Sequence, residues 1–441
     1  MISASPSGRF DEHAHQLLRC RNLSELGDHP YLQVQTAASR TLRCRRQLSA
    51  DPDDGRRLLN LANACRLDDQ LAEALCWAQW SVRPAVWPDR VVDARAAQGL
   101  ANVLLDLGRF GEAETWFRQA DPACRLAEVQ WNRSRVALAR GDLPRAWQLA
   151  EGRWLAGPDP SEPEKPRFPE PPFWQGWREC ETVVVWDEQG FGDTLQALRW
   201  LPELCRQHPG RVELLVRQPL LRLVQQGLAW LGSGLHVVPW SPQQARLPFT
   251  GCHGSLLSMP LMLQCRCWSE GAVLRLPPAP GRSAALRIGL VWESGRYLDD
   301  PGQALEHRRK SLPAVVQQEL GQQLQARGLE LVLLEPGSDL PASADFLEQA
   351  QWIQRCDLLL SVDTAAAHLG GAIGHPTWVL LPWACACRWG RSSVSTPLYA
   401  SMRLFRQPRH GDWQGLLARL LDALDQWLLE RSAAVSSSNS A

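Results

Sequence analysis

Before residue 155 the apolar positions recur three and four residues apart, the spacing of one helix face. Three stretches there repeat one another: "LDDQLAEALCWAQWSVRP" from Leu67, "LGRFGEAETWFRQADP" from Leu107 and "ARGDLPRAWQLAEGRW" from Ala139. The last two align Gly108 with Gly141 and Ala113 with Ala146, 33 residues apart. The first precedes the second by about 40 residues, so an insertion breaks the register. Small residues where paired helices touch predict a short helical solenoid; an unrelated helical bundle is the alternative. The prolines of "GPDPSEPEKPRFPEPPF", Gly157 to Phe173, then favour an extended, semi-rigid connector.

From Glu181 the pattern changes to short apolar runs alternating with amphipathic stretches. Strands are expected at Thr182–Trp186, Arg211–Val216 and Leu235–Val238, with helices at Thr194–Gln207 and Leu220–Leu231. A second proline-rich joint, "LPPAPGRSAALR", starts at Leu276. Strands Arg287–Trp292, Glu330–Leu334, Leu358–Val362, Thr377–Leu381 and Met402–Phe405 are expected beyond it. Helices Pro313–Arg327, Ala342–Arg355, Thr364–Ile373 and Trp413–Glu430 fall among them. Such alternation implies doubly wound parallel sheets with right-handed crossovers, and the joint splits them into two. Ligands of such sheets bind outside the carboxyl ends of the strands.

Composition narrows the function. The 441 residues carry no net formal charge, so no general attraction to nucleic acid or an anionic membrane is expected. Lys165 and Lys310 are the only lysines, which singles out Lys310 in an arginine-rich chain. No apolar run approaches bilayer length, and "MISASPSGRFDEHAH" lacks a signal-peptide core; a soluble, cytoplasmic protein without a transmembrane segment is expected. The 13 cysteines have no repeating frame and no C-x-x-C pair, and read as reduced thiols. A metal site from Cys252, His253, Cys265 and Cys267 is conceivable, though buried thiols are the favoured reading.

Three constellations bear chemistry. In "VVVWDEQGFGDTLQAL" a strand meets a glycine-rich turn and a helix, with Asp193 directly after Gly190-Phe191-Gly192. A dinucleotide fingerprint needs glycine where Leu195 stands, so a nicotinamide-dependent oxidoreductase is disfavoured. Asp193 is then either a helix cap or a general base in a cleft. In "CDLLLSVDTAAAHLGGAIGHPTWVLLPW" a buried strand ends at Asp363-Thr364 and a helix begins. Its amides and dipole can hold a diphosphate, with Thr364, Ala365 and, one turn on, His368 in place to contribute. Gly370, Gly371 and Gly374 make sense if that helix approaches the sheet closely. In "EHRRKSLP", Lys310 and Ser311 could meet a second phosphate face, or belong to a solvated basic loop. Glu335 follows a strand and is placed to accept from ribose hydroxyls.

These motifs occur in a telling order: "EQGFGDTLQALRWLPEL", "GCHGSLLSMP", "IGLVWESG" with "RRKSLP", "CDLLLSVDTAAAHLGGAIGHPTWVLLP" and "YASMRLFRQPRHGDW". Together they resemble the heptosyltransferase-like glycosyltransferases of family nine, in the branch with tetratricopeptide repeats in front. The resemblance implies an α + α/β chain: tetratricopeptide-like repeats over 1–156, a proline-rich linker over 157–180 and a GT-B pair of Rossmann-like domains. It places an acceptor domain over 181–280 and a nucleotide-sugar domain with the last helix over 281–430. Residues 431–441 are expected to be a disordered tail.

The resemblance also implies an inverting transferase that needs no metal or other cofactor. Asp193 would deprotonate the acceptor hydroxyl, with Gly190 and Gly192 forming the acceptor-side loop. Lys310, Ser311, Asp363, Thr364, Ala365 and His368 would hold the nucleotide-diphosphate sugar, and Glu335 would touch the ribose. The acceptor would be a protein, a lipid-linked glycan or a polysaccharide precursor, recruited by the repeats. The alternative is a non-enzymatic adaptor whose repeats bind a partner while an inactive transferase domain serves as scaffold.

Overall fold

Helix-period and strand-period segments fold into separate layers because each must bury its own apolar face. The computed structural model describes residues 40–50, 52, 54–89, 91–156, 177–241, 252–279, 285–295, 301–391 and 393–438. The connector expected over Gly157 to Phe173 lies outside them. The chain divides into two compact units. One comprises Met1–Ala156, Arg296–Arg309 and Ala386–Arg391; the other comprises Gly157–Gly295, Lys310–Cys385 and Ser392–Ala441.

In the first unit α1 (Arg40–Ala50), α2 (Gly55–Leu67), α3 (Leu71–Ser81), α4 (Ala94–Asp106), α5 (Phe110–Ala120), α6 (Ala127–Ala139) and α7 (Leu143–Ala150) each pack on the next. Asp54, Asp93 and Asp142 cap helix N-termini by accepting backbone amides. The turns after α2, α4 and α6 are built alike. Asp69, Gly108 and Gly141 hold left-handed φ values of 62°, 74° and 78°. The next amide in each case returns to a carbonyl five residues back: Gln70 to Cys65, Arg109 to Leu104 and Asp142 to Ala137. This closure ends a helix with its last carbonyls satisfied. Glycine adopts it without strain and aspartate tolerates it, so the first turn matches the other two in geometry but not in letters.

The same unit draws on residues far along the chain. Cys387 belongs to its core with Leu58, Trp77, Leu104 and Phe117. Arg309 ion-pairs with Asp69 at 2.5 Å and Asp106 at 3.1 Å, and Arg66 reaches Asp106 at 3.0 Å. Burial opposes the Asp106 charge, but Arg66 and Arg309 outweigh it and hold the carboxyl at about 2. A helical domain of residues 1–156 alone would therefore lack part of its own packing.

The second unit holds two all-parallel sheets. Strands β1 (Thr182–Trp186), β2 (Arg211–Arg217), β3 (Leu235–Trp240) and β4 (Cys252–Ser255) lie in the order β3-β2-β1-β4. Strands β5 (Arg287–Val291), β6 (Glu330–Leu333), β7 (Leu358–Val362), β8 (Thr377–Leu381) and β9 (Met402–Arg406) lie in the order β6-β5-β7-β8-β9. Residues such as Val183, Leu214, Leu360 and Val379 are fully buried, as strands covered on both faces require. Strand β4, "CHGS", was not expected, because it lacks an apolar run; pairing with β1 makes it a strand.

Several helix boundaries depart from expectation. The helix placed at Thr194–Gln207 starts earlier, as α8 (Phe191–Ala197), and passes through a 3-10 turn into α9 (Leu201–Gln207). Pro202 lacks the amide that would continue the first helix's ladder. The stretch at Leu220–Leu231 is α10 (Gln218–Gly227) plus a short 3-10 turn. After α11 (Met259–Met262), the basic "EHRRK" is not a loop but the end of α12 (Pro301–Lys310). Then come α13 (Ala314–Ala326), α14 (Phe346–Gln354) with a capping box of Asp345 and Glu348, and α15 (Ala365–Ala372). Finally α16 (Trp413–Ser438) runs through most of the expected disordered tail, where no glycine or proline interrupts it.

The reading of every thiol as reduced is also corrected. Cys180 and Cys252, 72 residues apart, form a disulfide at the entry to β1 and β4. The sequence could not foresee it, because β4 itself was not foreseen. The pairing also takes Cys252 out of the conceivable metal site. Burial pushes the Cys265 thiol up to about 11, so its thiolate is disfavoured, and burial also lowers the pKa of His253. Among the described residues no group of three or more His, Cys, Asp or Glu side chains is arranged around a common metal position.

Candidate functional site

Both sheets reverse direction at one point. In the first sheet the chain builds outward through β1, β2 and β3, then returns to place β4 on the other side of β1. In the second, β6 lies on one side of β5 and β7 on the other. The loops leaving the adjacent strands separate there and open a crevice. The sequence-selected residues lie in the turns and first helical residues after β1 and β7, at the end of α12 and just after β6.

The carboxyl end of β1 carries three acids. Asp187 is fully buried and accepts from Trp240 Nε1 at 2.5 Å, Arg217 Nε at 2.9 Å and Thr194 Oγ1 at 3.3 Å. Glu188, also buried, accepts from the Ser255 hydroxyl at the end of β4. Gln189 turns the chain at a φ of 60°, uncommon for a residue with a Cβ. Asp193 sits at the third position of α8, and its Oδ2 accepts from the Gly190 amide at 3.2 Å. The cap is thus real but inverted: Gly190 is the capping position and Asp193 reaches back to it. Such a cap engages one carboxylate oxygen, so it does not by itself decide between the two readings of Asp193.

The switch point of the second sheet carries donors. Lys310, the last residue of α12, places Nζ 3.4 Å from Asp363 Oδ2 at the end of β7. Thr364 occupies the N-cap of α15 without a side-chain bond to its amides; its hydroxyl lies 3.2 Å from Ser361 Oγ instead. The helix amides are therefore not satisfied by the side chain that would ordinarily cap them. Ser311 Oγ accepts from the Ser294 amide at 3.1 Å. Glu335 Oε1 accepts from the Trp292 and Glu293 amides at 2.7 and 2.9 Å. Glu335 and Ser311 together fix the loop after β5, a task the sequence reading did not assign to either.

The glycines behind Thr364 explain how α15 reaches this position. A Cβ at Gly370 would collide with the Thr377 hydroxyl of β8, and one at Gly371 would stand 2.6 Å from Met402 Cε. Only glycine lets the helix lie this close to the sheet.

The two switch points meet. A Cβ on Gly192 would stand 2.9 Å from His368 Cδ2 and 3.5 Å from Ala365 Cα. The turn bearing Asp193 therefore lies against the first turn of α15. Around it, Phe191 packs on Phe346 with ring centroids 5.1 Å apart, and Arg222 pairs with Asp345 at 3.0 Å. The structure brings Gly192, in one turn with Gly190 and Asp193, against Ala365 and His368, and sets Lys310 beside Asp363, next to Thr364. Glu335 and Ser311 stand at the neighbouring β5 loop.

Sequence reasoning missed Asp187, Glu188, Arg217, Trp240 and Ser255. The acids had a visible signal, since "DE" directly follows a β-branched run at a strand's carboxyl end. Their partners come from other strands and had none.

No family model matches the chain. It is 24% identical to Protein FlbA of Caulobacter vibrioides over 379 residues, which is 75% of this chain and 61% of that protein. The chain thus spans less than two thirds of that relative's length. Among solved structures it is similar to an E. coli ADP-heptose LPS heptosyltransferase II, at 13% identity and a TM-score of 0.38, covering 57% of this chain and 99% of that one. A family 9 glycosyl transferase from Veillonella parvula shares 12% identity at a TM-score of 0.37, covering 57% and 98%. An O-GlcNAc transferase mutant of Thermobaculum terrenum covers 97% of this chain and 94% of its own at 15% identity and a TM-score of 0.29. Likenesses at these TM-scores carry no argument about what this chain does.

Proposed function

We propose that this protein is a glycosyltransferase of GT-B architecture that moves a sugar from a nucleoside diphosphate sugar to an acceptor hydroxyl. One observation carries the reading: the carboxylate-bearing turn after β1 lies against the donor-rich N-terminus of α15, with Gly192 touching Ala365 and His368. Transfer with a displaced diphosphate needs that juxtaposition. A base must face the acceptor, and fixed donors must hold the developing negative charge of the leaving group.

In this reading Asp193 takes the proton of the acceptor hydroxyl as its oxygen attacks the anomeric carbon. The bond to the β-phosphate breaks, and its electron pair leaves with the nucleoside diphosphate. The amides of Ala365 and its neighbours, with Lys310 and His368, hold those phosphates, while Asp363 keeps Lys310 in place. Glu335 holds the loop after β5, against which the ribose would lie. The helices of the first unit are of tetratricopeptide kind and recruit the acceptor, which is a protein, a lipid-linked glycan or a polysaccharide precursor.

The test is a thermal-shift screen of the full chain with ADP-, GDP-, UDP- and dTDP-sugars, followed by assay of nucleoside diphosphate release. A bound donor stabilises the native state by mass action. Stabilisation by one base class with turnover supports the transferase. Binding without turnover, or no binding, favours the adaptor whose transferase domain serves only as scaffold.

A further inference from the structure

His368 is buried, and its Nδ1 lies 3.1 Å from the Tyr399 hydroxyl, with the two rings edge to face. Covalent geometry sets the rest. In imidazole Cδ2 is bonded to Nε2 and lies across the ring from Nδ1. Cδ2, the neighbour of Nε2, is the atom that approaches Gly192, while Nδ1 faces Tyr399. Tyr399 is itself 1% exposed and held from behind. The Arg199 guanidinium lies 4.6 Å from its ring centroid and donates to the Leu398 carbonyl at 2.7 Å. Arg199 Nε donates in turn to the Gln196 carbonyl at 2.7 Å.

A cation against a phenol ring draws electron density from its oxygen, making the hydroxyl a better donor and a poorer acceptor. We propose that Tyr399 is a positioning residue: it donates to His368 Nδ1 and thereby holds His368 as the neutral tautomer with its proton on Nε2. That tautomer carries an N–H, rather than a lone pair, at Nε2, the nitrogen next to the Cδ2 that approaches Gly192. The function of this N–H as a diphosphate contact rests on the donor-site reading above; the tautomer does not. The ring nitrogen engaged by a fixed partner decides which nitrogen carries the proton.

The experiment is long-range proton–nitrogen correlation on the full chain labelled with nitrogen-15 histidine, at pH 8. The His368 signals are assigned by their loss in His368→Asn. The expected wild-type pattern is a protonated Nε2 and an unprotonated Nδ1. Tyr399→Phe, which removes only the hydroxyl, should convert it to a mixed-tautomer pattern. A wild-type ring protonated at Nδ1, or a pattern unchanged in Tyr399→Phe, overturns the proposal. A second arm measures the Kd of whichever of ADP, GDP, UDP or dTDP stabilises the protein most. Tyr399→Phe should raise it roughly threefold to tenfold, the weight of one hydrogen bond. If none of the four binds the wild type, the donor-site reading falls, while the spectra still decide the tautomer.

Discussion

The two switch points share one architecture and carry opposite chemistry. At the end of β1 the side chains are acids: Asp187, Glu188 and Asp193. At the end of β7 donors gather around a single acid, Asp363: Lys310, His368 and the first amides of α15. A parallel strand's carboxyl end does not choose between these, because the sheet has little net dipole. What differs is the element that follows. After β1, Asp193 reaches back and satisfies an amide at the start of α8. After β7, Thr364 leaves the amides of α15 to other partners. One helix start carries its own carboxylate, and the other has no side-chain cap.

Substitutions can separate the two ends, beginning with the largest expected effect. Asp193→Asn keeps the size and can still accept from Gly190, but it cannot take a proton. Transfer rate should fall on the order of 10²–10⁴ while donor Kd barely moves. Wild-type turnover in this variant would reduce Asp193 to a cap.

Arg217→Ala probes the buried support of the same end. It takes the guanidinium from the buried Asp187 charge and leaves Trp240 and Thr194 as its donors, and removing one partner of a buried ion pair costs about 3–5 kcal/mol. A large fall in melting temperature is expected, mostly recovered in the double variant Asp187→Leu with Arg217→Met. Failure of the double variant to recover would mean that Asp187 matters through Trp240 and Thr194 rather than through its charge.

The converse holds across the crevice. Lys310→Ala and His368→Ala should each raise donor Kd roughly tenfold to a hundredfold, the weight of a hydrogen bond to a charged group. Isothermal titration with the identified nucleotide decides; unchanged affinity in both would put the phosphates elsewhere. Glu335→Gln is the mildest test. The amide oxygen still accepts from Trp292 and Glu293, so a change of roughly threefold or less in donor Kd is expected. A much larger loss would show that the charge acts on the donor directly.

Local pattern made much of this legible. The strands from Thr182, Leu358 and Thr377 stand where their apolar runs lie, since burial on both faces writes itself into consecutive letters. Asp193, Thr364 and His368 could be singled out because strand, turn and helix start are contiguous in the chain. Tertiary structure alone decided what depends on distant partners. Strand β4 exists only because β1 offers it an edge. Asp69 matches Gly108 and Gly141 only in its backbone angle. Arg309 belongs with Asp69 and Asp106 across more than 200 positions, and no local pattern encodes such a pairing. The same holds for the site itself: the sequence names a carboxylate turn and an amide-rich helix start. That Gly192 touches Ala365 and His368 follows from how the two sheets pack, because contact between distant segments is a property of the fold and not of any stretch of letters.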